Sequence, residues 1–157
     1  MNKEKLAETA KRLVTPPKGI LAIDESTGTN TKAFASVGLE STEDTRQAYR
    51  EFLVTCPEME NYISGYIMVD ETIKQSTKDG QPFPQVLLQK GILPGIGIYK
   101  GYAPFPGHEG EETTKGLEDL AERLPQYVQL GAVFTKWRSL FHITDTIPSE
   151  DLIKENV

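Results

Sequence analysis

The sequence predicts an α/β fold built around a parallel sheet. Apolar runs at 20–23, 62–69, 92–99 and within 132–143 alternate with segments of helical periodicity. Each run is apolar on both faces, which is typical of parallel strands covered by helices on both sides. Polar residues follow the runs at Asp24-Glu25, Asp70-Glu71 and Lys100. A doubly wound sheet and a (β/α) barrel both fit this pattern, and both place active sites at strand carboxyl ends.

The first elements are a helix, a strand and a second helix. Residues 4–14 carry apolar side chains at helical spacing, and Pro16-Pro17 ends that helix. Strand 20–23 follows, and then a polar loop. The next helix is predicted to begin near Ser41, because Ser41 and Asp44 resemble a capping box. Its predicted inward face is Ala48, Tyr49, Phe52 and Leu53.

The later elements are shorter and are separated by proline and glycine. They are strand 62–69, a helix through Gln75, a turn at 78–80, a helical turn at 86–88 and strand 92–99. Residues 101–116 are predicted to be a long surface loop, since proline and glycine break every period. A short helix at 117–124 and a second one opened by Pro125 precede the fourth strand, and 147–157 begins a fourth helix.

Composition limits the class of protein. The 157 residues are 38% apolar and 25% charged, which fits one globular domain spanning 1–157. A net charge of −6 argues against nucleic-acid partners, and the apolar runs are too short for membrane helices. The amino terminus resembles no secretory signal, so we expect a cytoplasmic protein. The single cysteine, Cys56, is predicted to be a buried helical residue without a catalytic role.

The fourth strand carries two cations on one face. A period of two places Lys136 and Arg138 together. A buried cation requires a carboxylate or an anionic ligand, and Asp24 is a candidate partner. An adjacent arginine favours neutral lysine, which can act as a general acid or base or form an imine. Alternatively, the two cations belong to a solvated edge or a structural ion pair, and Asp24 caps a turn.

The hydroxyl-rich run 26–31 is a candidate phosphate site. Ser26 and its neighbours offer hydroxyl and backbone N–H donors, although the run matches neither a P-loop nor a dinucleotide fingerprint. A plain helix entry is the alternative interpretation. His108 and His142 lie far apart without a ligand pattern, so we predict neither a metal nor a cofactor.

Five segments together resemble class I fructose-1,6-bisphosphate aldolase. They are GILAIDESTGT, TRQAYREFLVT, KDGQPFPQVL, GLEDLAERL and FTKWRSL, in the family's order and over essentially the whole chain. The resemblance implies a metal-free (β/α) barrel lyase of glycolysis. Such an enzyme forms a lysine Schiff base and reversibly cleaves fructose 1,6-bisphosphate to glyceraldehyde 3-phosphate and dihydroxyacetone phosphate.

The resemblance also implies roles for individual residues. Asp24 corresponds to the carboxylate that assists bond cleavage, and Lys136 to the lysine of proton transfer during imine formation. Arg138 and Arg46 correspond to substrate-binding arginines, and Ser26 belongs to the same binding set. The family's Schiff-base lysine and its acid-base glutamate lie on later strands and have no counterpart in this sequence.

Three positions depart from the family pattern. Gly97 and Tyr99 stand where the family has lysine and aspartate, and Ala33 stands where it has an arginine. Positive charge is therefore lost where a bisphosphate binds. About four of eight strands are present, so we expect a half-barrel from a truncated product or a fragment, inactive alone and homo-oligomeric or unstable. The alternative is a non-catalytic relic that binds a sugar phosphate or a protein partner.

Overall fold

The computed structural model describes residues 2–156. In chain order, the elements are α1 (Lys3–Leu13), β1 (Gly19–Ala22), α2 (Thr27–Ala35), α3 (Glu43–Thr55), a 3-10 turn (Met59–Asn61), β2 (Ile63–Met68), α4 (Asp70–Ile73), α5 (Phe83–Gln89), β3 (Leu93–Gly97), β4 (Tyr102–Pro104), β5 (Glu112–Thr114), α6 (Leu120–Gln129), β6 (Phe134–Lys136) and α7 (Glu150–Asn156).

Four parallel strands form the main sheet, in the order β1, β2, β3, β6. The register pairs Leu21 with Tyr66, Tyr66 with Pro94, and Gly97 with Lys136. The core lies between this sheet and helices α3, α4 and α5, where Tyr66 and Ile96 are fully buried. The predicted α/β class with a parallel sheet is confirmed.

The prediction of a polar loop after β1 is wrong, because the chain forms helix α2 there. Ser26 caps this helix, with its Oγ accepting the Thr29 N–H at 3.2 Å. Threonines and Asn30 fill the helix, so it lacks the apolar stripe by which sequence periodicity detects helices. The run of hydroxyls therefore opens a helix.

Helix α3 lies where a helix was predicted, but its cap and its buried face differ from the prediction. The capping box joins Thr42 and Thr45, and the helix begins at Glu43. Two arginines, Arg46 and Arg50, are buried on its inner face together with Val54. In the predicted inward stripe, by contrast, Ala48 is exposed and Phe52 is 69% exposed. The inner face carries arginines because glutamates from two strand ends lie opposite them.

The segment predicted as a long loop contains a small antiparallel hairpin of β4 and β5, paired through Ala103 and Thr113. Buried side chains hold it to the rest of the fold. The Thr114 hydroxyl donates to the Arg138 carbonyl at 2.9 Å, and Glu111 accepts the Ser149 N–H at 2.5 Å. Each strand of the hairpin has only three residues, and glycine and proline interrupt the segment. The sequence therefore shows no alternation long enough to predict a strand.

The carboxyl-terminal helices also differ in detail from the prediction. One helix, α6, runs through Pro125, where two short helices were predicted. Gly131 ends this segment with a φ of 106°, a conformation that favours glycine. The predicted fourth helix is present as α7, with Leu152 buried. Across residues 2–156, no helix combines the length and apolar character needed to cross a membrane.

Candidate active site

A cavity of about 770 Å³ opens where the carboxyl ends of the sheet strands meet. Its walls come from the segments that follow β1, β2 and β3 and from the end of β6. The lining residues are Asp24, Glu25, Ser26, Thr27, Thr29, Asn30, Val69, Asp70, Glu71, Gly97, Tyr99, Lys100, Gly101, Tyr102, Lys136 and Arg138. The fold thus places the polar residues of several strand ends around one space.

An ion pair between Lys136 and Asp24 lies at the floor of this cavity. Lys136 Nζ donates to both Asp24 carboxylate oxygens, at 2.9 Å to Oδ1 and 2.7 Å to Oδ2. Asp24 is 7% exposed, whereas the Lys136 side chain is 30% exposed. The carboxylate is therefore committed to the ammonium, and the ammonium still faces the cavity.

This ion pair requires a strongly curved sheet. Asp24 follows β1 and Lys136 ends β6, and these strands are separated by β2 and β3. In a flat sheet, three strand spacings would hold the two backbones about 14 Å apart. An extended lysine and an aspartate cannot quite span that distance, so their contact indicates that the sheet curves toward the cavity.

Glycines on β3 make room on the concave face. Gly95 and Gly97 point the same way, since they are two residues apart on one strand. A Cβ atom at Gly95 would lie 2.3 Å from Phe134 Cζ, which is too close for two carbon atoms. A Cβ atom at Gly97 would lie 3.3 Å from Asp24 Oδ2. The Phe134 ring and the Asp24 carboxylate therefore occupy the space that side chains on β3 would fill.

Two buried arginines of α3 hold the glutamates beside the cavity. Arg46 donates to Glu71 at 2.9 Å and 2.6 Å, and Arg50 Nη1 donates to Glu25 Oε2 at 2.8 Å. The hydrogen bond from Arg46 lowers the pKa of Glu71 and raises that of the arginine itself. Asp24-Glu25 and Asp70-Glu71 thus share one arrangement, in which the glutamate of each pair binds an arginine of α3.

The fourth acidic group of the cavity wall is Asp70, the first residue of α4. It accepts the Tyr127 hydroxyl at 3.0 Å and pairs with Lys74 at 2.7 Å. Burial raises the pKa of Asp70, but the hydrogen bonds from Lys74 and Tyr127 outweigh it and leave the pKa lowered. Asp70 is consequently a structural anion that joins β2 to α6.

Aromatic side chains form the wall next to Arg138. The rings of Tyr99 and Tyr102 are stacked, with centroids 6.4 Å apart and planes inclined by 22°. Burial and the nearby Asp24 carboxylate raise the pKa of Tyr99, while Lys136 and Arg138 act in the opposite direction. Tyr99 therefore stays a neutral hydroxyl at physiological pH.

Four of the five predicted site residues line the cavity together, namely Asp24, Ser26, Lys136 and Arg138. The fifth, Arg46, is not among the lining residues, because its guanidinium is bound by Glu71 and the Ser41 carbonyl. Sequence reasoning missed Arg50 and Tyr102. The four-residue spacing of Arg46 and Arg50, set against two Asp-Glu doublets, was the signal that could have identified Arg50.

The two histidines, for which no metal-binding role was predicted, lie outside this cavity. His108 contacts Glu111 at 3.3 Å, and His142 contacts Glu112 at 3.3 Å. Within residues 2–156, no three His, Cys, Asp or Glu side chains converge into a group that could hold a metal ion. Cys56 is a half-buried free thiol at the end of α3, outside the cavity.

Comparison with known proteins agrees with this geometry. Residues 5–157 match the family model described as glycolytic fructose-bisphosphate aldolase class-I. The chain belongs to the class I fructose-bisphosphate aldolase family. A probable fructose-bisphosphate aldolase class 1 of Xylella fastidiosa is 53% identical over 157 residues, which are all of this chain and 47% of that protein. The cytosolic fructose-bisphosphate aldolase 5 of Arabidopsis thaliana is 48% identical over 98% of this chain and 43% of its own length.

A solved family structure has the same fold. It is the Plasmodium falciparum fructose-bisphosphate aldolase in complex with TRAP and a small-molecule inhibitor. The similarity covers 97% of this chain and 44% of that one, with a TM-score of 0.92 and 40% sequence identity. This chain thus spans about half the length of the curated aldolases it matches.

Proposed function

We propose that these residues supply the amino-terminal part of a class I fructose-bisphosphate aldolase active site, within a single (β/α) barrel domain that includes 1–157. The Lys136–Asp24 ion pair carries this proposal, because it lies on the concave face at the strand carboxyl ends. Barrel enzymes bind substrate at that end. The curvature required by the ion pair supports a closed barrel over an open, doubly wound sheet.

The proposed roles are those that membership of the aldolase family implies for the side chains around the cavity. Lys136 exchanges protons with the substrate as the imine forms, and Asp24 holds its ammonium and assists cleavage of the bond between the two three-carbon halves. Arg138 and Ser26 bind the phosphorylated sugar, since a guanidinium and a helix cap both suit anions. A role in substrate binding for Arg46 stays a prediction, to be reconciled with its contact to Glu71.

The biological setting is proposed from the family. We propose a glycolytic lyase of the cytoplasm that assembles as a homo-oligomer. Relatives named as cytosolic aldolases support the compartment. The unpaired edges of β1 and β6 within the described residues support pairing with further strands of the barrel, since sheet edges are covered or paired in stable proteins.

Activity and binding of the 157-residue chain test the proposal. We expect fructose 1,6-bisphosphate to bind in calorimetric titration, with weaker binding in Arg138→Ala and Lys136→Met. Lys18→Met is the matched control, because Lys18 is exposed and outside the cavity. No binding heat at millimolar ligand in the parent chain would contradict the site assignment.

Catalysis is measured separately. We expect no cleavage of fructose 1,6-bisphosphate by this chain alone, and no borohydride-trapped adduct with dihydroxyacetone phosphate, because the family's imine-forming lysine has no counterpart in the sequence. Turnover that disappears in Lys136→Met would show that this chain is catalytic by itself.

A non-catalytic binding module is the second candidate. Gly97 favours it, since glycine leaves Asp24 with a single cationic partner, Lys136. Such a module retains ligand binding but gains no turnover when it is combined with the missing strands. An aldolase assay of the chain mixed with the carboxyl-terminal half of a family member separates the two candidates.

A further inference from the structure

The charges around the cavity leave one cation uncommitted. Lys136 is paired with Asp24 and Lys100 with Asp119, and each lining carboxylate has a cationic partner. Among residues 2–156, Arg138 is the lining cation with no carboxylate within 4.0 Å. This part of the cavity is therefore suited to one anionic group.

The surface beside Arg138 is aromatic. Tyr99 and Tyr102 stack on each other and both line the cavity. The hydroxyl oxygen of Tyr102 is shielded and has no hydrogen-bond partner among the described residues. A ligand ring placed on this pair gains stacking contact.

A side chamber provides space next to the aromatic wall. It has a volume of about 320 Å³. Arg123 and Tyr127 belong to this chamber, and it shares Val69, Asp70, Gly97, Tyr99 and Lys100 with the main cavity. The chamber and the cavity adjoin where Gly97 has no side chain. An apolar cavity of roughly 150 Å³ is enough to hold benzene, so a six-membered ring fits this volume.

We propose that Tyr99 and Tyr102 form a stacking wall by which this cavity selects phosphate monoesters that carry a flat or ring-shaped body. The phosphate binds Arg138, and the ring lies against the tyrosines beside Gly97. The inference rests on the cavity being the phosphorylated-ligand site proposed above, and it adds the substrate class to that site.

Two phosphate monoesters that differ in their organic group test this wall. Phenyl phosphate and methyl phosphate are titrated into the full chain at pH 8, where both are dianions, and the amide spectra are followed by NMR. We expect phenyl phosphate to bind roughly threefold to tenfold more tightly, the range expected for one aromatic contact. The amides of Gly97 and Gly101 should shift with phenyl phosphate and less with methyl phosphate.

Variants separate the ring contact from the phosphate contact. Tyr99→Ala and Tyr102→Ala should each remove most of the preference for the phenyl ester, whereas Tyr99→Phe should keep it. Arg138→Ala should weaken both esters alike. Tyr62→Ala, at a tyrosine 68% exposed and outside the cavity, is the control and should change neither. Amide spectra of the free variants establish that each is folded.

The outcomes distinguish this inference from the aldolase assignment. Equal affinity for the two esters, or a phenyl preference that survives both alanine substitutions, overturns the stacking wall even if fructose 1,6-bisphosphate binds. A phenyl preference lost in Tyr99→Ala supports the wall even if no aldolase activity is found with any combination of strands.

Discussion

Arg50 and Glu25 form an ion pair in which the arginine is almost entirely enclosed. The Arg50 side chain is 1% exposed, and its Nη1 lies 2.8 Å from Glu25 Oε2. Its other nitrogens contact the Glu25 carbonyl at 3.3 Å and the Thr72 hydroxyl at 3.4 Å. Arg50 thus joins the segment after β1 to the helix after β2.

Removing Arg50 should destabilise the fold. Arg50→Met keeps the length of the side chain but leaves the Glu25 carboxylate and the Thr72 hydroxyl without this donor. We expect the free energy of unfolding to fall by about 2–4 kcal/mol, measured by urea denaturation. Lys154→Met is the control, because Lys154 is 72% exposed in its ion pairs and should change stability by less than about 0.5 kcal/mol. Equal losses in both variants would contradict the structural role of Arg50.

The Arg46–Glu71 pair predicts a dependence of stability on pH. The hydrogen bond from Arg46 lowers the pKa of Glu71 from its usual 4.5. The contribution of Glu71 is therefore complete above pH 4.5 and is lost as pH falls through the folded-state pKa. Glu71→Gln should lower the free energy of unfolding by about 1 kcal/mol at pH 7. The difference from the parent chain should shrink below pH 4.5.

Glu150 is the control position for Glu71, because its side chain is 91% exposed. Glu150→Gln should leave the free energy of unfolding nearly unchanged from pH 7 to pH 3. If Glu71→Gln and the parent chain show the same difference at every pH, the ionised pair with Arg46 does not contribute as described.

Gly95 should not tolerate a methyl group. The Cβ of Gly95→Ala would lie 2.3 Å from Phe134 Cζ, so strand β3 or the ring must move. Overpacking of this kind costs about 1–3 kcal/mol. Gly19→Ala is the matched control, since no atom lies within 4 Å of its Cβ position. Thermal unfolding of both variants measures the difference.

A second substitution tests the cause of the Gly95 effect. If the clash with Phe134 is responsible, Phe134→Leu should cost less in the Gly95→Ala background than in the parent chain. Simple additivity of the two substitutions would show that the ring is not the obstacle.

A lysine at position 97 should strengthen bisphosphate binding. A Cβ atom at Gly97 would lie 3.3 Å from Asp24 Oδ2, so the Gly97→Lys side chain starts beside a carboxylate and extends into the cavity. One added charge-assisted contact should lower the Kd for fructose 1,6-bisphosphate about tenfold. Calorimetric titration measures this, with Gly19→Lys as the control of equal charge. An unchanged Kd would mean that Asp24 holds the new ammonium away from ligand.

The sequence predicted the elements whose apolar periodicity is strong. The four parallel strands, helix α1 and the position of α3 appear in the apolar periodicity, although α1 contains no buried residue. It did not predict α2 or the β4–β5 hairpin. The Ser26 hydroxyl caps α2, and hydrogen bonds with Arg138 and Ser149 stabilise the hairpin. Neither kind of contact requires apolar residues at a regular spacing, so neither is visible as periodicity in the sequence.

By itself, the sequence determined the family, the polar strand ends and the candidates Asp24, Lys136 and Arg138. Tertiary structure decided which of these meet. Curvature of the sheet brings Lys136 to Asp24 across two strands, and it leaves Arg46 beneath the wall with Glu71. The stacking of Tyr99 on Tyr102 likewise depends on the hairpin. The Lys136–Asp24 and Arg46–Glu71 ion pairs join residues far apart in the chain, and their geometry follows from the path of the backbone, which local sequence patterns do not encode.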